Sequence, residues 1–223
     1  MAQETENVLN IARGANDIYN VPSGLEVSQQ ANNRGDQITV QGLPAKSEYV
    51  RMGQTWTARI ATASAFTYVA GWPTTRAELI IYNGEAAGGK SLVIDSAWMY
   101  GITTMAAAQF ITLVAQIGVV ATVPTHDTAQ LMCSRTGKKG YYGNARVAVA
   151  NTTGGCLTNL WEVVGTNSAA MTTNLAASVY ADMWGGWIVP PGYVLGLAGI
   201  AGTAAGTAII GVTWAEVQLT IGG

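Results

Sequence analysis

Beyond residue 49 the apolar positions fall in short runs broken by Gly, Pro, Asn and Ser, and nowhere do they hold a helical period. Such spacing predicts strands. Residues 55–61, Thr-Trp-Thr-Ala-Arg-Ile-Ala, alternate loosely and are rich in β-formers, and 65–70 make a second short run ended by Gly71-Trp72-Pro73. Residues 77–82 run into Asn83-Gly84, a strong hairpin signal, and 91–100 follow as the next strand. Residues 110–117, continued by 119–123, then 146–151 and 158–164, read as further strands. Residues 105–109 suit a helical turn or small-residue loop, 125–144 a charged loop, and 169–180 a loop or poor strand.

The chain closes on two apolar runs between Trp187 and Val217, joined by the small residues 199–206. Pro190-Pro191-Gly192 bars a helix from the first run, because proline lacks the N–H and restricts the residue before it to extended geometry. This stretch reads as a closing hairpin. Eight or so strands without a long amphipathic helix predict an all-β, antiparallel two-sheet sandwich over residues 46–223. Residues 1–45 differ: Asn, Gln, Gly and Ser dominate, and apolar residues stand singly or in pairs. They predict an extended arm whose anchors, Ile11, Ile18, Tyr19 and Val21 among them, order by lying across a neighbouring subunit. Arg34-Gly35-Asp36 within it suits a turn better than a receptor signal.

Composition changes the picture most through charge. Only 11% of the 223 residues are charged, while 49% are hydrophobic, against roughly 25% charged in ordinary soluble domains. A surface so poor in charge is expected to be hidden by other subunits. Every Lys and Arg lies between Arg13 and Arg146, and after Arg146 only Glu162, Asp182 and Glu216 carry charge. A net charge of −2 gives no footprint for nucleic acid, which requires a basic face or arm. The cluster Arg135, Lys138, Lys139 and Arg146 suits a solvated loop. Residues 96–125 and 183–215 lack charges over membrane-spanning lengths. Their Gly, Thr and Gln, and the double proline of the second, point to paired strands, so no membrane span is expected.

The run Val189-Pro190-Pro191-Gly192, a strand, a small-residue turn and then Gly211-Val212-Thr213-Trp214-Ala215-Glu216-Val217 resembles the last strands of jelly-roll proteins of bacteriophage virions. Residues 81–90 followed by Leu92-Val93-Ile94-Asp95-Ser96 are similar to their middle strands. The resemblance covers residues 50–220 and implies a jelly roll assembling as a homotrimer, like the tumour-necrosis-factor and C1q jelly rolls. It implies a capsid decoration or cement protein located in the virion, with itself and other capsid proteins as partners. A self-assembling capsid subunit and a non-enzymatic carbohydrate- or receptor-binding virion protein are the alternatives. In the assembling reading Leu195, Leu197 and Ile200, in the small-residue strand 194–202, face another subunit.

The sequence offers little chemistry. His126 is the single histidine, and its neighbour Asp127 points the other way in an extended segment, which disfavours a dyad. No Gly-x-Ser-x-Gly elbow occurs. Cys133 and Cys156 have no metal-ligand spacing and read as two buried thiols, though one bridge between them is open. No catalytic residue, metal or cofactor is therefore expected. For glycans, Trp184-Gly185-Gly186-Trp187 is the best candidate, its glycines exposing the flanking rings.

Overall fold

The computed structural model describes residues 49–61, 65–74, 77–103, 109–119, 122–125, 131–135, 143–151, 160–169, 178–202 and 206–219. The expected arm, with Ile11, Ile18, Tyr19 and Val21, lies outside them, as do the Arg34-Gly35-Asp36 turn, residues 105–108, His126, Lys138, Lys139 and Cys156. A helical turn at 49–51 precedes twelve described strands. They are β1 (Thr55–Arg59), β2 (Phe66–Thr67), β3 (Val69–Ala70), β4 (Ala77–Asn83), β5 (Lys90–Gly101) and β6 (Gln109–Val119), then β7 (Leu131–Ser134), β8 (Ala145–Asn151), β9 (Glu162–Ala169), β10 (Ser178–Val189), β11 (Tyr193–Ala201) and β12 (Thr207–Gln218).

The first sheet runs β10-β5-β12-β1-β7, with β2 also on β12; the second runs β8-β4-β11-β6-β9, with β3 also on β11. All pairings are antiparallel except β3 with β11. Setting aside the short β2 and β3 and the edge strands β7 and β8, four strands remain in each sheet. Their orders, β1-β12-β5-β10 and β4-β11-β6-β9, are those of two interleaved Greek keys. The fold is an all-β jelly-roll sandwich. β7 and β8 are inserted between β6 and β9, and each extends one sheet.

This topology corrects two local expectations. β11 and β12 belong to different sheets, so the closing stretch is not a hairpin but two strands on opposite layers. β4 and β5 are likewise on opposite layers, and Asn83-Gly84 begins a crossover. Turn residues mark where a chain reverses, not which sheet the next strand joins. Two further differences concern boundaries. The expected charged loop contains β7, which pairs with β1 from Trp56↔Ser134 to Arg59↔Leu131. The run at 158–164 enters its sheet only at Glu162, leaving Leu160 and Trp161 before the strand.

Side chains alternating along these strands fill the space between the layers. Trp56 and Trp214, paired in register across β1 and β12, are both fully buried. Ile94, Ala97 and Met99 of β5 join them from the first sheet, and Leu79, Ile81, Ile111, Leu113, Leu195 and Leu197 from the second. Fully burying a Leu or Ile contributes about 1.5–3 kcal/mol. Leu195 and Leu197 are 0% exposed. Contrary to expectation, then, they cannot meet another subunit, because alternation on a central strand turns them inward. Among the described residues no helix is long and apolar enough to cross a membrane.

Candidate functional site

An open recess lies where β9 and β10 bring the edges of the two sheets together. Both strands are irregular there. β10 pairs with β5 from Ser178↔Tyr100 to Asp182↔Ser96 and resumes at Trp187↔Ile94, so residues 183–186 bulge. Gly185 carries the bulge at φ 73°, a left-handed conformation that glycine adopts without strain. β9 has its own shift against β6 between Val163↔Val114 and Gly165↔Leu113.

The β10 bulge sets Trp187 half-buried against the inter-sheet core and on the rim of an open groove of about 750 Å³. Ile117, Trp161, Glu162 and Ile188 complete much of its lining. A second recess of about 300 Å³ shares Glu162, Gly186 and Trp187 and adds Val163, Asp182 and Met183. Glu162 and Asp182 are exposed acids, one on each edge strand. Around them the surface is apolar: Leu160 is 71% exposed, Tyr180 65% and Val163 52%.

The opposite ends of the sheets are basic. Arg146 is exposed on β8, and Arg135 follows β7 directly. Arg135 holds Asp95 at 3.8 Å, and its backbone N–H donates to the Thr55 carbonyl at 3.2 Å. The sandwich therefore has an acidic edge at β9–β10 and a basic edge at β7–β8. This polarity follows from the topology acting on a chain whose last base is Arg146.

The other expected site residues scatter. Trp184 falls in the β10 bulge, and its side chain lies outside the described residues. Trp187 reaches the groove. Ile200, paired with Val69, is half-buried in a second apolar cluster with Ile80, Val114, Trp161, Val194 and Ala198. Cys133 pairs with Thr57 in the β1–β7 ladder. Among the described residues no group of three or more His, Cys, Asp or Glu could hold a metal ion. That Leu160, Glu162 and Val163 line recesses at one edge is not read from the sequence, where the strand is expected over 158–164 and not from Glu162. The absence of Lys and Arg after Arg146 is the sequence signal that could have found this edge.

No family model matches the chain, and no curated protein or solved structure is significantly similar to it.

Proposed function

We propose that this chain is a structural virion protein, a homotrimeric decoration or cement protein that stabilises a bacteriophage shell by bridging its subunits. One observation carries the reading. Outside its inter-sheet core the jelly roll leaves large apolar side chains in water along one edge, among them Leu160, Val163 and Tyr180. Scattered exposed apolar residues are ordinary, but a cluster beside a groove marks a contact surface. The charge content of 11% points the same way. Trp187 is a weaker argument for glycan stacking, because its ring is half-buried against the core.

The mechanism is mechanical. An interface of about 1,600 Å² that is roughly 57% apolar supplies on the order of 20 kcal/mol gross at ~25 cal/mol per Å². That exceeds an association cost of about 4–15 kcal/mol, so joints between shell subunits can be reinforced without any chemistry. The test is to add the purified protein to shells that lack it and to follow their thermal disruption. Binding with a raised disruption temperature supports cement. Closed shells formed by the protein alone would make it a capsid subunit instead, and a monomer that leaves shells unchanged would overturn the reading.

A further inference from the structure

We propose that the β9–β10 edge forms one half of a head-to-tail interface between copies of this chain, its recess receiving Arg146 from the β7–β8 edge of the next copy. The inference rests on the assembling role proposed above and names the surface that carries it.

Charge complementarity is the first argument. Glu162 and Asp182 stand on one edge, and β9 and β10 contain no Lys or Arg. Arg146 stands on β8, at the opposite edge of the sheet that ends in β9. Neither the Glu162 carboxylate nor the Arg146 guanidinium makes an ion pair or hydrogen bond within the described structure, although both are exposed. Two β9–β10 edges facing each other would oppose carboxylate to carboxylate, so a self-complementary two-fold contact is disfavoured. An acidic edge meeting a basic edge is a heterologous contact, which builds a ring where the rotation between copies closes and a filament where it does not.

The chemistry of the recess is the second argument. The 300 Å³ recess is lined together by two carboxylate residues and the Trp187 indole. A guanidinium suits this combination better than an ammonium: its planar fork matches a carboxylate, and its face stacks on an indole. Val163 lines this recess, Leu160 lines the adjoining groove, and Tyr180 stands two residues from Asp182 on β10, all three exposed. Their burial supplies affinity, while the ion pair fixes orientation and register.

The experiment uses the full chain, with light scattering over a dilution series at low and at moderate salt. Glu162→Arg and Arg146→Glu are each expected to raise the dissociation constant at least tenfold while the β-type circular dichroism stays unchanged. The combined Glu162→Arg/Arg146→Glu variant, with both charges exchanged, is expected to recover most of the lost association. Wild-type association is expected to weaken as salt screens the contact. An oligomer that forms normally in both single variants overturns this interface and leaves the assembling role standing, as does a double variant no better than either single one. A wild-type chain that is monomeric throughout overturns the assembling role and the interface together.

Discussion

At the residue scale, Asn83 shows how one polar side chain can fasten strands from both layers. It is fully buried, and its Nδ2 donates to the carbonyls of Lys90 and Val189, each at 2.9 Å. Its Oδ1 accepts from the Glu85 N–H at 3.2 Å, and its own carbonyl accepts from the Gly192 N–H at 2.8 Å. The end of β4 is thereby tied to the start of β5, the end of β10 and the Pro190-Pro191-Gly192 turn. Asn83→Ala strips the donor from two carbonyls, and buried polar groups left unpaired cost about 1–3 kcal/mol. A loss of about 2–3 kcal/mol in chemical denaturation is expected, and a change under 0.5 kcal/mol would refute this role. Tyr68 is the opposite case. It is 1% exposed, packs edge-on against Phe66 with ring centroids 5.7 Å apart, and its hydroxyl has no partner among the described residues. Burial penalises the phenolate and pushes its pKa from 10.0 up to about 12. The folded state therefore holds the proton more tightly than the unfolded chain. The resulting stability is fully present below pH 10 and is lost as pH rises through 12. Tyr68→Phe is expected to be neutral or stabilising at pH 7. It should also flatten the decline between pH 10 and 12, read as the difference between the two proteins' denaturation midpoints across that range.

At the scale of elements, the small residues of β11 and β12 serve packing in ways that strand propensity does not register. A Cβ on Gly199 would lie 2.6 Å from the Met99 sulfur and 2.7 Å from the Phe66 ring, so β11 needs a glycine where the other layer presses on it. Gly211 plays the same part beneath the Trp98 ring, which lies across β12 where a Cβ would stand. Gly199→Ala is expected to destabilise by about 1–3 kcal/mol through overpacking. Gly202, exposed at the end of the same stretch, should tolerate alanine within about 0.5 kcal/mol. Thermal unfolding of the two variants side by side checks the contrast. The same strands explain what was legible in the sequence. β1, β4, β5, β6 and β8 announced themselves because alternation and β-formers are local properties. That β4 and β5, or β11 and β12, sit on opposite layers was illegible, because layer choice depends on pairings between residues far apart in the chain. β7 was not legible because Leu131-Met132-Cys133-Ser134 is short and, among the described strands, pairs only with β1. At the candidate site, Trp187 was legible as an aromatic beside glycines. The meeting of Glu162 with Asp182 was not, since only the fold places β9 beside β10.

At the scale of the whole molecule, the jelly roll turns a gradient of charge along the chain into a polarity across the sandwich. The last base, Arg146, falls on β8, and of the three acids that follow it the two exposed ones, Glu162 and Asp182, fall on β9 and β10 at the other edges of the sheets, while Glu216 is buried on the central β12. A domain whose core joins both layers in one cluster is expected to fold without residues 1–45. Trp56, Leu79, Ile94, Leu195 and Trp214 make one cluster from both layers. If the apolar anchors Ile11, Ile18, Tyr19 and Val21 serve assembly, removing them should separate two quantities that a purely structural segment would change together. Deleting residues 1–45 is expected to leave the β-type circular dichroism intact and the unfolding midpoint of dilute protein within a few degrees of wild type. Association should weaken at least tenfold in sedimentation equilibrium. Apolar anchors contribute through buried area, which salt does not screen, so this loss should persist at high ionic strength, unlike that caused by Glu162→Arg. A truncated chain that unfolds while its remaining folded fraction still associates normally would assign the arm to the domain's own stability and remove it from the interface.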